Sequence, residues 1–303
     1  SKLVANDMND LWAITSFYNP MEYRGRLKNY RLFREQLSVP LVAVELAYGP
    51  EFELDQGDAD ILVRRRGADV MWQKERLLNI ALAALPKQCT KVAWIDCDVI
   101  FKDNNWAEKL SALLDKHAVV QAFSKALYLD RSLESGICRV ATTHAIAEGE
   151  FEQQVLGGVR DNIAGLAWGA RRELLDEHGF YDAAIVGGGD RAMAAAIYGG
   201  FDAVIKAHRM TDRLRERYLS WAMPLHRSAS GAVGYLDQDI LHLWHGSLAN
   251  RRWQERHERL NEFAFDPYED IALDPNGVWR WASDKPELHN YLRFYFSDRR
   301  EDG

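Results

Sequence analysis

Lys91-Val92-Ala93-Trp94-Ile95-Asp96-Cys97-Asp98-Val99-Ile100-Phe101 is the stretch that decides the fold. An apolar run delivers two carboxylates and a second apolar run closes behind them, the pattern of a buried strand ending in an acidic tip. Because a fully buried strand tolerates no free charge, the two aspartates belong where strand meets solvent, at the edge of a crevice. Side chains two apart on an extended backbone point the same way, so both carboxylates can converge on one divalent cation. The plainer alternative is a polar strand end followed by a helix cap ahead of Asn104-Asn105-Trp106.

Upstream, Leu11 to Thr15 reads as a first strand that stops at Ser16-Phe17-Tyr18-Asn19-Pro20. Arg26 to Leu37 carries Leu27, Tyr30, Phe33 and Leu37 at helical spacing. Pro40 to Leu46 and Asp60 to Arg64 read as strands, and Met71 to Leu85 as a helix that Pro86 ends. Strand and helix alternating at this pace predict an α/β fold with a mixed, mainly parallel central sheet flanked by helices. Ligands of such sheets bind at the carboxyl ends of strands, where Tyr18, Asn19, Glu45 and Asp96 fall. Neither GxGxxG nor GxxxxGK[ST] occurs here, so a phosphorylated ligand needs a metal to neutralise it.

The chain has 303 residues, 47% of them hydrophobic and 11% aromatic, enough for a substantial core and too apolar for long disorder. A net charge of -7 disfavours a general nucleic-acid surface, although it leaves room for a local basic groove. Cys89, Cys97 and Cys138 are too few and scattered for a disulfide framework or a zinc cage, which fits a reducing, cytoplasmic setting. No apolar run approaches the roughly 20 residues that span a bilayer, and Ser1-Lys2-Leu3-Val4 lacks a signal-peptide core, so no membrane insertion is expected.

Downstream, Asn105 to His117 reads as a helix and Val119 to Leu129 as one strand, while Ser132 to Gln154 suggests loops or a mobile flap. Then come Gly165-Leu166-Ala167-Trp168-Gly169-Ala170-Arg171-Arg172, Gly179-Phe180-Tyr181-Asp182 and Val186-Gly187-Gly188-Gly189-Asp190-Arg191. Three glycines let the backbone approach a ligand closely and put Asp190 at the start of a helix from Arg191 to Tyr198, where an aspartate ordinarily serves as an N-cap. Ile240 to Gly246 is an apolar strand ending in His242 and His245, followed by a charged helix with Arg256 and Arg259. The arginine runs at 24–31, 64–66 and 251–252 read as solubility features, and Trp279 and Trp281 as tail packing.

Strand, helix, strand, strand, helix and then a strand ending in Asp96-x-Asp98 resembles the nucleotide-sugar half of GT-A-fold glycosyltransferases. The second half is similar to the galactosyltransferase-type signature of small-residue strand, Gly-Phe-Asp-like turn and Trp-Gly-Gly-Glu-Asp-like loop, with Val186 and Gly189 departing from the Trp and Glu of the pattern. This resemblance implies a GT-A domain over 1–260, with a nucleotide-sugar half at about 8–130 and an acceptor half at about 131–260, and a C-terminal helical extension at 261–303. It implies a transferase that moves a sugar from a nucleotide-diphosphate donor, a UDP-sugar first, to a hydroxyl acceptor. Asp96, Asp98 and His245 would hold Mn²⁺ or Mg²⁺, a set that suits Mn²⁺. Asp190 would be the general base of an inverting transfer. Tyr18, Asn19, Glu45, Lys74 and Asp96 stand for the donor side, and Trp168, Gly188, Gly189 and Arg191 for the acceptor side. Acceptors range from glycans and small molecules to protein side chains and hydroxylated DNA bases, with nucleic acid not favoured. The alternatives are a retaining transferase, a haloacid-dehalogenase-like phosphohydrolase using Asp96 and Asp98, and a non-catalytic sugar-binding relative. The dehalogenase motif belongs on a first strand, and Gly189-Asp190 is followed by Ala194 where that family needs a second acid.

Overall fold

A computed structural model describes residues 10–303, so the reading at Ser1-Lys2-Leu3-Val4 lies outside the described residues. Along the chain run β1 (Leu11–Tyr18), α1 (Arg24–Gln36), β2 (Leu41–Ala47), β3 (Ile61–Arg66), α2 (Lys74–Ala84), β4 (Lys91–Ile95) and β5 (Val99–Phe101). Next are α3 (Trp106–Leu114), β6 (Val119–Gln121), β7 (Lys125–Leu129), β8 (Gly136–Val140), α4 (Thr142–Ala147), α5 (Glu152–Leu156), β9 (Ala167–Arg171) and α6 (Arg172–His178). The remainder comprises α7 (Gly189–Tyr198), α8 (Phe201–Ala207), α9 (Asp212–Ala229), β10 (Val233–Tyr235), β11 (Asp239–His242), α10 (Glu255–Glu262), β12 (Ile271–Leu273), β13 (Trp279–Trp281) and α11 (Pro286–Asp298).

Seven strands form the main sheet in the order β10-β6-β9-β4-β1-β2-β3, parallel throughout except for β9, which runs against both its neighbours. Central strands of such a sheet are covered on both faces and read as unbroken apolar runs. In β1 the alternation divides the core: Trp12, Ile14 and Tyr18 join one hydrophobic cluster, and Leu11, Ala13 and Phe17 join the other. The fold is therefore α/β with a mixed, mainly parallel central sheet flanked by helices, as the sequence pattern predicts.

Three local expectations change. The acidic stretch is not one strand, because Val99 N donates to Asp96 O at 3.2 Å and this tight turn carries β5 into a second sheet, ordered β5-β11-β7-β8. Val119 to Leu129 likewise divides between the two sheets, as β6 and β7. The region read as loops or a flap contains β8, α4 and α5; Gln121 from β6 anchors it by accepting from Thr143 N and Oγ1 at 2.9 and 2.8 Å.

The C-terminal residues pack on this frame. Leu288 and Leu292 of α11 close a cluster with Ile185, Val186 and Trp279, while Tyr295 and Phe296 join the main core. Gln73 holds β13 by accepting from Trp279 N at 2.8 Å and donating to Trp279 O at 3.1 Å. Among the described residues, no helix is long and apolar enough to cross a membrane.

Candidate active site

A cavity of about 620 Å³ opens at the carboxyl ends of β1 and β4, where Ser16, Tyr18, Asn19 and Asp96 line it. Nine Lys or Arg side chains line this cavity against six Asp or Glu, in a chain of net charge -7. Positive charge is thus gathered where an anionic ligand would enter.

The turn after β4 sends the two aspartates apart. Asp96 N donates to Leu166 O at 2.8 Å, which keeps Asp96 on the main sheet, and its carboxylate pairs with Lys74 Nζ at 2.6 Å. Leu243 N donates to Asp98 O at 2.8 Å, which draws Asp98 to the end of β11. Asp98 Oδ2 lies 3.0 Å from His245 Nε2 and 3.6 Å from His242 Nε2, and the two imidazole nitrogens are 3.3 Å apart. Asp98, His242 and His245 therefore present one ligand atom each, all within 4.8 Å of one another. The cluster differs from the expected set in one residue: Asp96 lies outside it, paired with Lys74, and His242 lies inside it.

These residues fit a divalent cation. Asp98 Oδ1 is buried with no hydrogen-bond partner among the described residues. Burial, with Asp98 opposing, brings the His242 imidazole down to about 3, so the ring stays neutral and keeps a lone pair for a metal. Burial would raise the Asp98 carboxyl, but His242, His245 and Arg251 outweigh it and hold it well below the usual range. Glu301 Oε1 lies 3.5 Å from His245 Nδ1, the place of an outer carboxylate that orients a ligating imidazole. Arg251 Nη2, 3.0 Å from His245 Nε2, brings a further cation to the cluster.

At the other side of Lys74 lies Asp190, whose oxygens accept from Nζ at 2.9 and 3.0 Å. Lys74 is buried at the start of α2, so it bridges Asp96 and Asp190 and does not face solvent. Asp190 is not the helix cap: α7 begins at Gly189, and Gly188 with φ of 88° occupies the capping position. A Cβ on Gly165 would come within 2.7 Å of Asp190 Oδ2, so that glycine makes room for the carboxylate.

Other expected site residues divide. Tyr18, Asn19, Gly188 and Arg191 line the cavity. Glu45 is turned away, accepting from Leu54 N at 3.2 Å and from Glu53 N, and it stabilises the chain after β2. Trp168 lies in the core with its ring stacked on Trp94, centroids 6.2 Å apart, so the small-residue strand uses its tryptophan for packing. Gly189 meets the Glu75 carboxyl and not the cavity. Arg26 and Arg251, expected to be solvated, line the cavity, and Arg26 Nη1 pairs with Glu301 Oε2 at 3.0 Å. Sequence reasoning missed Arg299 and Glu301; a run of charges after a last helix resembles a solvated end, and only the packing of α11 brings it back to His245.

No family model and no curated protein matches the chain. Among solved structures it is similar to Staphylococcus aureus TarS residues 1–349 in complex with UDP-GlcNAc, at 12% identity and a TM-score of 0.41, over 79% of this chain and 60% of that one. The chain thus spans less than two thirds of that relative's length. It is also similar to glucosyl-3-phosphoglycerate synthase from Mycobacterium tuberculosis in complex with Mn²⁺, UDP-glucose and phosphoglyceric acid, at 14% identity and a TM-score of 0.41, over 92% and 88%. A third likeness is to Drosophila β1,4-galactosyltransferase 7, at 12% identity and a TM-score of 0.35, over 75% and 65%.

Proposed function

We propose that this protein is a metal-dependent glycosyltransferase that moves a sugar from a nucleoside-diphosphate donor, UDP-linked as first candidate, to a hydroxyl acceptor. One observation carries the reading. A single cationic cavity at the strand ends holds the Asp98, His242 and His245 cluster and, within reach of the same space, a carboxylate at Asp190 positioned by Lys74. A Mn²⁺ or Mg²⁺ ion held by Asp98, His242 and His245 would neutralise the departing diphosphate.

The chain's own residues supply the rest. Tyr18 and Asn19, at the end of β1, face the donor, and Arg26 and Arg299 add positive charge beside them. The acceptor oxygen attacks the anomeric carbon as the bond to the diphosphate oxygen breaks and its electron pair leaves with the nucleoside diphosphate. Attack from the face opposite the leaving diphosphate inverts the configuration, and the acceptor's proton passes to Asp190. Lys74 fixes the carboxylate in one orientation, and Gly165 keeps the backbone clear of it. The catalytic unit spans residues 1–260, and residues 261–303 complete it through Arg299 and Glu301. Three cysteines, all free, suit a cytoplasmic setting.

Thermal-shift binding of UDP, GDP, CDP, ADP and their sugars, with and without Mn²⁺, tests this on wild type and Asp98→Ala. Stabilisation by one nucleotide that needs both the ion and Asp98 is the expected result. If no nucleotide gives an ion-dependent shift, the donor site is wrong, and phosphate-ester hydrolysis becomes the next assay.

A further inference from the structure

One buried cation near Asp190 has no anion of its own. Arg256, on α10, is 7% exposed and lines the cavity. Its guanidinium makes one hydrogen bond among the described residues, from Nη1 to the Tyr295 hydroxyl at 3.0 Å, and its Nε finds no partner. Arg26 and Arg299 share Glu301 and Lys74 has two aspartates, but Arg256 forms no such ion pair. A buried, unpaired guanidinium is costly to fold, so its counter-charge is best supplied from the cavity.

The surroundings are built to receive that charge beside the proposed base. Gly187 has φ of 89°, and a Cβ there would come within 2.7 Å of Arg256 Nη1, so the glycine holds open the guanidinium's place. His208 and His257 stack with centroids 3.8 Å apart and lie against Gly188, where a Cβ would come within 2.7 Å of His208 Cε1. Burial, with Arg256 and Arg191 adding, pushes His208 down to about 3, so this imidazole brings no charge of its own. Arg191 is spent on structure, donating to Val155 O at 2.8 Å and to Asn162 Oδ1 at 3.2 Å, and Arg251, also without an ion pair, lies on His245 beside the metal cluster, which leaves Arg256 as the free donor on the Asp190 side. Burial alone would raise the Tyr295 hydroxyl, but Arg256 and Arg299 outweigh it and lower it, as expected where cations converge with too few anions.

We infer that the acceptor carries an oxyanion, a phosphate or carboxylate group, which docks on Arg256 beside the His208 and His257 pair and so presents its hydroxyl to Asp190. This rests on the transferase reading above and narrows it, replacing an unspecified hydroxyl acceptor by an anionic one. The site is distinct from the Asp98, His242 and His245 cluster, so the two can be loaded separately.

The test is calorimetric titration of the full chain with inorganic phosphate, glycolate and glycerol, after saturation with Mg²⁺ and the nucleoside diphosphate that the nucleotide panel identifies. Phosphate or glycolate should bind and glycerol should not, the better of the two anions naming the group. Arg256→Gln should weaken anion binding by about tenfold or more, the loss of a charge-assisted hydrogen-bonding partner, with nucleotide binding unchanged. Should Arg256→Gln not fold, Arg256→Lys, which keeps the charge but loses the guanidinium's fork of donors, should still weaken the anion and spare the nucleotide. Anion binding equal in wild type and Arg256→Gln, or none in wild type, or glycerol binding as well as the anions, overturns the inference. If no nucleotide binds yet the anions bind through Arg256, the acceptor site stands and the donor reading falls.

Discussion

Replacing Lys74 by methionine removes the one ammonium that holds Asp96 and Asp190 together. Its Nζ lies 2.6 Å from Asp96 and 2.9 Å from the nearer oxygen of Asp190, with the lysine side chain 10% exposed and each carboxylate 28%. Breaking a fully buried pair costs about 3–5 kcal/mol; water reaching the carboxylates reduces that to about 2–3 kcal/mol here. In a chain of this size each kcal/mol lowers Tm by about 2 °C, so a fall of about 4–6 °C at pH 7.5 is expected. The sign with pH follows from the Asp96 carboxyl. Asp96, already pushed up to about 6 by burial against the opposing Lys74, loses that opposition in the variant and is raised further, so the variant is least penalised below the unfolded carboxylate range and loses stability as pH rises through the folded value. Lys74 itself, raised well above its usual value because Asp190, Asp96 and Glu75 outweigh burial, stays charged throughout and adds no slope between pH 5 and 8. Differential scanning fluorimetry of both proteins from pH 5 to 8 measures this. A Lys74→Met variant within 1 °C of wild type (about half a kcal/mol), or one whose deficit is the same at pH 5 and pH 8, would refute the reasoning.

Glu75 is a buried carboxyl with Oε1 unpartnered, and burial, with Lys74 opposing and Asp190 adding, pushes it up to about 8. The folded chain thus keeps a proton that the unfolded chain loses, and wild-type stability falls between about pH 4.5 and 8; Glu75→Gln should remove that slope and be up to a few kcal/mol better off at pH 8 than at pH 5, relative to wild type, in denaturant melts. His242→Ala should weaken Mn²⁺ binding as severely as His245→Ala, by about tenfold or more, whereas Asp96→Asn should weaken it far less; ion titration by calorimetry separates them. Gly165→Ala should displace the Asp190 carboxylate and lower turnover by about tenfold or more while Tm moves by only a few degrees, seen by comparing rates with melts.

Much of the architecture was legible because central strands of a parallel sheet must be apolar on both faces, and Leu11–Tyr18, Leu41–Ala47 and Lys91–Ile95 announce themselves as such. Asp96 and Asp98 were found for the same reason, as charges where no core strand can carry them. What the pattern could not tell was direction. Asp-Cys-Asp reads as extended, yet it turns, and the turn gives one carboxylate to Lys74 and the other to two histidines. At the end of a strand a buried histidine is ordinarily a packed one, and the His242 ring does stack on Tyr128, centroids 4.4 Å apart, yet its Nε2 faces Asp98. Trp168 erred the other way, a ring beside glycines that packs on Trp94. α9 carries Pro224 within its 18 residues, and Thr211 accepting from Leu214 N at 3.3 Å caps it. Glu301 depends on a contact across more than 250 residues of sequence to Arg26, and Arg299 is held in turn by Glu301, which no local pattern encodes.

The most direct measurement is anomalous diffraction from crystals grown with Mn²⁺ and the nucleoside diphosphate chosen by the binding panel. The account predicts a manganese peak bonded to Asp98 and to both His242 and His245, with diphosphate oxygens completing its shell and Asp96 still on Lys74. A peak bridging Asp96 and Asp98, or ordered nucleotide in the cavity with no ion at Asp98, would contradict it.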